Sequence, residues 1–311
     1  MRLSVITTCS NRKKYEAEPQ LKLSRLRKGH QEEIAKEWCR RRTDTRPVAR
    51  VDELYCGRGF QEAKTTAQIG GGFLWVASAG LGLVNSERNV PAYDLTISVG
   101  SENSLQNALK GASYCPKLWW KAVNSRKALT PVRNLVAQNP DQLFLLMLSS
   151  SYLKLLEFDL LSLTDAEMKR VRIVGPPISA INLKRLINVY LPYDDRLDNL
   201  GPPYQGTKGD FAQRAGRHFA EVIWNHRKNV TADAHRKLIE KQLFKLKFRE
   251  VPKRRRIDDD DEIRSIIRNH WHAVDGKSGK MLRLFRDHLM IACEQKRFGT
   301  LFNQVKQEGV K

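Results

Sequence analysis

Long apolar runs are missing from this 311-residue sequence. The longest, Leu143 to Leu148, falls far short of the roughly 20 residues that cross a bilayer, and no apolar leader precedes Thr7 and Thr8. A soluble, cytoplasmic protein is expected. Cysteine is scarce as well: Cys9, Cys39, Cys56, Cys115 and Cys293 are scattered, odd in number, and show no CxxC or Cys/His ligand spacing. That argues for free thiols in a reducing compartment and against a structural zinc. Phosphate-cradling glycine loops are lacking too. Gly70 to Gly72 come before an apolar run instead of after one, AGLGLV from Ala79 lacks the third glycine of a dinucleotide fingerprint, and there is no Walker sequence. We expect no nucleotide cofactor.

Acidic residues are the minority charge. Against 34 Asp and Glu stand 55 Lys and Arg, a formal net charge of +21, with a pI near 9.9. Such a surface attracts polyanions through counterion release, so nucleic acid is the first partner to consider.

What is present alternates. Four short runs have the composition of buried strands: Leu3 to Thr8, Phe73 to Ser78, Gln142 to Leu148 and Val171 to Val174. Stretches with helical periodicity lie between them, at Leu26 to Trp38, Phe60 to Ile69 and Val132 to Gln138. Strand and helix in turn imply parallel pairing, which predicts an α/β domain over residues 1–190 with a four-stranded parallel sheet flanked by helices. The segment Tyr190 to Asp210 is crowded with Pro, Gly and Asp and reads as a long loop. Helices are expected at Phe211 to His226 and Ala232 to Phe248, so that residues 191–250 complete the cleft. VPKRRRIDDDDE, Val251 to Glu262, has the character of a solvated linker. Beyond it, residues 263–311 suggest a small helical unit of helix-turn-helix type around DGKSGK.

Ligands of parallel sheets gather at the carboxyl ends of the strands. The residues that follow each run are therefore the informative ones. After the first come Cys9, Ser10, Asn11, Arg12, Lys13 and Lys14; Ser78 starts the segment after the second; Ser149 follows the third. The loop from Ser10 to Lys13 is read as holding a phosphate or a base edge, with an ordinary basic strand-to-helix turn as the alternative.

Three motifs carry a resemblance: Cys9-Ser10-Asn11-Arg12-Lys13, Leu54-Tyr55-Cys56-Gly57-Arg58-Gly59-Phe60, and Ser78-Ala79-Gly80-Leu81-Gly82-Leu83-Val84 followed by Tyr93-Asp94. Over about the first hundred residues the chain resembles a group of bacterial domains with a CSxxK motif, akin to the central domain of archaeosine synthase. More distantly it is similar to the uracil-DNA glycosylase superfamily. It departs from the glycosylases in lacking both their Asp-Pro-Tyr-His and their His-Pro-Ser loops. The resemblance implies an enzyme without cofactor or metal, a DNA glycosylase that flips a modified base out of the duplex and hydrolyses its N-glycosidic bond, leaving an abasic site. Such an enzyme would serve a host in antiviral defence against DNA with modified bases. An RNA base-modifying transferase and a non-catalytic DNA-binding regulator are the alternatives.

Glycosidic cleavage needs a carboxylate beside the oxocarbenium-like sugar and donors for the departing base. Asp94 is the first candidate for the carboxylate, against a simple turn cap, with Asp195 in the group Asp194, Asp195 and Asp198 as the second. Ser10 and Asn11 would contact base or phosphate, Lys13 would act as an electrophilic clamp, and flanking cations would lower the Lys13 pKa. Tyr55, Phe60, Ser78, Tyr93, Tyr204 and Ser149 would line a base site. Arg12, Lys14, Arg196, Lys208, Arg214 and Arg217 would track the DNA backbone, with Arg214, Arg217 and His218 on a solvated helix face. Asp210 and Gln213 have the spacing of a capping box. Of Trp119 and Trp120, one is expected to be exposed.

Overall fold

The computed structural model describes residues 1–111, 114–124, 130–177, 179, 184–248 and 253–309. Two compact units emerge, Met1–Arg249 and Glu250–Lys311. Of the expected linker, Val251 and Pro252 lie outside the described residues.

The first unit is built on one sheet. Its strands are β1 (Arg2–Thr8), β2 (Gly71–Ser78), β3 (Gly82–Asn85), β4 (Gln142–Met147) and β5 (Val171–Val174). The spatial order is β3-β2-β1-β4-β5. β1 pairs in parallel with β2 and β4, and β4 with β5, so all four expected strands join one parallel array. The expected count of four needs correction, because β3 adds a fifth strand antiparallel to β2. It arises from Gly82–Asn85, in the segment that follows the second expected strand and for which no strand was expected. Gly82 takes φ +80°, which lets the chain reverse directly after Ser78. The outward amide of Leu83 is then taken up by Asn124 Oδ1 at 2.9 Å.

Helices flank the sheet: α1 (Gln31–Asp44), α2 (Arg58–Gly70), α3 (Pro116–Val123), α4 (Pro131–Gln138), α5 (Ser150–Leu161), α6 (Phe211–His218) and α7 (Ala232–Phe244). Their starts follow local rules. Pro116 and Pro131 occupy first-turn positions, where a missing N–H costs nothing, and the Thr231 hydroxyl accepts the Ala234 amide. β4 is buried along its whole length, as a strand covered on both faces must be. Trp119 and Trp120 are both buried, contrary to expectation. Each indole N–H is satisfied inside, by the Ala79 carbonyl at 2.8 Å and by Asp159 Oδ2 at 2.9 Å. No helix among the described residues is long and apolar enough to cross a membrane.

The second unit has helices α8 (Asp260–Asn269), α9 (Ser278–Arg283) and α10 (Gln295–Gln307), packed over Ile263, Ile267, Phe285, Phe298 and Phe302. A short parallel pair, Arg255–Arg256 with Ile291–Ala292, joins them. In DGKSGK, Asp275 and Gly276 turn the chain with positive φ.

The Gly70-Gly71-Gly72 run is a junction. Gly71 ends α2 in the left-handed region, and a Cβ at Gly72 would stand 2.3 Å from the Leu3 carbonyl oxygen. Gly72→Ala must therefore push β2 off β1. We expect a loss of about 1–3 kcal/mol, read as a lower urea midpoint at unchanged slope.

Candidate functional site

From β1 the chain crosses to β2 on one side and later to β4 on the other, so the connections diverge between β1 and β4. A crevice belongs at the carboxyl ends of such a pair. A cleft of about 690 Å³ opens there, lined among others by Thr8, Ser149, Tyr193, Asp195, Lys208 and Phe211.

Beside it, directly after β1, a polar cluster forms. Cys9 Sγ lies 2.9 Å from the Tyr152 hydroxyl on α5. Lys13 Nζ stands 4.3 Å from the centre of the Tyr93 ring, a cation–π contact. Burial lowers the Lys13 pKa, and the neighbouring Cys9 sulfur, Asp94 carboxylate and Cys56 sulfur partly offset it. The direction is as expected but the cause is different. Arg12 and Lys14 are exposed and play no part in the shift.

Backbone pairing sets these positions. The Lys14 amide donates to the Leu54 carbonyl and the Cys56 amide to that of Arg12, so the CSNRK loop lies along the Leu54–Cys56 segment. Asp94 is held by its amide to the Leu21 carbonyl and by the Leu23 amide to its own carbonyl. Its carboxylate accepts the side-chain amide of Asn103. Three of the quoted motifs thus converge. Ser10 braces the turn: its hydroxyl donates to the Cys56 carbonyl at 3.2 Å and accepts the Arg12 amide at 3.1 Å. Asn11 is exposed.

Several candidates serve the core instead. Tyr55, Phe60, Ser78 and Tyr93 are all buried, and a base could not stack on them unless the core opened. Ser78 Oγ lies 2.7 Å from the Tyr93 hydroxyl and 3.3 Å from that of Tyr55, and it accepts the Gly80 and Leu81 amides of the β2–β3 turn. Ser149 is exposed at the start of α5, its hydroxyl 3.0 Å from that of Ser151.

The cations divide in the same way. Arg214 is 1% exposed at its side chain, not solvated. It donates to Asp210 at 2.8 Å, Asp198 at 2.6 Å, the Thr207 carbonyl at 2.8 Å and the Tyr204 carbonyl. Arg217 bridges Glu62 and Glu221, and Arg196 holds Asp194 with two nitrogens while lying over Phe248. These three are structural contacts rather than free phosphate ligands. Arg12, Lys14 and Lys208 are exposed. Asp195 is exposed on the cleft wall.

The capping box also runs otherwise than expected. Asp210 reaches back to the Thr207 amide at 2.8 Å, while Gln213 donates to the Thr7 hydroxyl at 3.1 Å and so ties α6 to β1. Tyr204 is partly buried, with its hydroxyl on Glu221 and its ring edge-on to His218. Among the described residues no group of three or more His, Cys, Asp or Glu is placed to hold a metal.

Residues missed in the sequence are Tyr152, Asn103 and the cleft aromatics Tyr193 and Phe211. Tyr152 follows the β4 terminus closely, and the rule that selected Ser149 would have selected it. Nothing in the sequence marks Asn103.

No family model matches the chain, and neither a curated protein nor a solved structure matches it.

His218 sits behind the cleft, buried, with Nδ1 2.9 Å from the Tyr193 hydroxyl. Burial pulls its pKa down to about 4, and that of His235 likewise to about 4, from 6.5. Between pH 6.5 and about 4 the unfolded chain therefore binds more protons, and stability falls as pH falls. Urea midpoints measured from pH 7.5 to 4.5 should drop, and His218→Gln should show a shallower drop than the parent.

Proposed function

We propose that the first unit is a DNA glycosylase that hydrolyses the N-glycosidic bond of a modified base, and that Lys13 and Asp94 do the work. The reading is supported above all by one observation: Lys13, an amine with a burial-lowered pKa in the loop after β1, feels the charge of Asp94, a carboxylate from the segment after the β2–β3 hairpin, while the carboxyl end of β1 itself opens at Thr8 onto a cleft. The charge distribution supports the same polyanionic substrate. Of the 55 Lys and Arg, 41 fall in Met1–Arg249, against 24 of the 34 acids, which leaves this unit +17 of the total +21.

Cleavage builds positive charge on the sugar and negative charge on the base. Asp94 offsets the first and orients the attacking water. Asn103 keeps its carboxylate in place. Lys13 steadies the second from its seat over Tyr93. Water adds to the sugar carbon, the bond to nitrogen breaks, and the base leaves with a proton. The extruded base enters the cleft, where Tyr193 and Phe211 supply apolar contact and Asp195 and Ser149 polar contact. Arg12, Lys14 and Lys208 meet the backbone phosphates. A role in antiviral defence follows if the bases attacked belong to foreign DNA.

The decisive experiment incubates the protein with natural and base-modified genomic DNAs and scores abasic sites by alkali cleavage. Asp94→Asn should lower turnover by two or more decades, on the order of 3 kcal/mol, with DNA affinity little changed. Absence of abasic sites from every DNA would end the reading. Lys13 can also be tested as a nucleophile, since a lysine amine would pass through a Schiff base. We expect borohydride to trap no adduct; a trapped adduct lost in Lys13→Ala would replace water with the amine. DNA affinity should fall steeply between low and physiological salt, and a flat dependence would exclude DNA as the substrate.

A further inference from the structure

At the opposite end of the sheet, by the starts of β4 and β5, lies a second cavity of about 610 Å³. Leu143, Met168, Val189 and Val230 make its wall mostly apolar, and its size is that of a small-ligand site. Its charges are lopsided. Of its two carboxylates, Asp165 is paired with Arg185 at 2.7 Å and Asp233 with Lys237 at 2.9 Å. Lys169 and Lys228 are exposed at the rim.

Arg172 is the decisive residue. It projects from β5 and is 1% exposed, yet among the described residues no carboxylate pairs with it. Nε donates to His235 Nδ1 at 3.0 Å, Nη1 to the Lys169 and Val171 carbonyls, and Nη2 to the Val230 carbonyl. Because His235 accepts at Nδ1, its proton sits on Nε2, which donates to the Arg227 carbonyl at 2.8 Å. The imidazole is therefore neutral. Four of the five guanidinium N–H groups are used and one on Nη2 remains. A buried cation held only by neutral acceptors lacks a counter-charge, and an anion in the adjoining cavity would provide it.

We propose that this cavity binds a small organic anion, a carboxylate, sulfonate or phosphate monoester on an apolar body, with Arg172, Lys169 and Lys228 facing the anionic group. This site is separate from the Lys13–Asp94 cluster and does not depend on the glycosylase reading. The apolar wall selects against inorganic phosphate alone.

The probe is 1-anilinonaphthalene-8-sulfonate, titrated into the full chain by fluorescence. Its neutral counterpart, N-phenyl-1-naphthylamine, tests the charge. One equivalent of the sulfonate should bind, at least tenfold tighter than the neutral dye. Lys169→Glu with Lys228→Glu should weaken the sulfonate at least tenfold and leave the neutral dye unchanged. Both lysines are exposed, so these variants should fold, which circular dichroism checks. Ala232→Phe, which fills the cavity, should abolish binding of both dyes there. Equal affinity for the two dyes, or sulfonate binding indifferent to the lysine and Ala232 variants, would overturn the proposal.

Discussion

The buried Arg214 guanidinium is the constraint on which the cleft depends. It rises from α6 and gathers two carboxylates and two backbone carbonyls from the segment between Asp198 and Asp210. That segment has little apolar substance of its own, so without the ion pairs it would have scant reason to hold one conformation. A charge taken out of water must be fully partnered, and here the partners are spread along a loop, which ties the loop down at several points. Gln213, one residue earlier, links the same helix to Thr7 on β1. The wall of the cleft and the end of the central strand are thereby set against each other by adjacent residues of α6.

The strands were legible because parallel sheets bury both faces and leave near-continuous apolar runs. β4 and β5 are the clearest cases. β3 was not legible: Gly-Leu-Val-Asn is too short to show alternation, and a glycine-rich stretch after a strand has the same composition whether it opens a loop or closes a hairpin. The placement of the candidate site residues was hidden for a similar reason. Composition says that Arg214, Arg217 and His218 are polar, and polar residues are mostly outside. Only the three-dimensional placement of Asp198, Asp210, Glu62 and Tyr193 reveals that each has a buried partner. Tyr55, Tyr93 and Ser78 could be singled out from their motifs, but whether their hydroxyls face a ligand or one another depends on how the Leu54–Cys56 and Tyr93 segments pack on the end of β2.

Motif positions and chemistry separate accordingly. The SAGLG segment owes its glycines to contact: a Cβ at Gly80 would stand 2.5 Å from the Tyr93 ring, and the Gly80 carbonyl accepts the Trp38 indole at 2.7 Å. Its residues hold Tyr93 in place, and Tyr93 in turn carries Lys13. Shape is thus transmitted from a hairpin with no reactive group to Lys13, whose pKa burial lowers.

The closing of that hairpin by Asn124 has a bearing on how the chain behaves in a crowded solution. An edge strand normally presents a row of unsatisfied amides, which invites a second molecule to add its own strand. Here the edge strand is only four residues long, one of its amides is already occupied by a side chain, and the charged Glu87 and Arg88 follow one residue beyond its end. Growth by strand addition is blocked on that flank, and asparagine 124 acts as a stopper for the sheet as much as a brace for the turn.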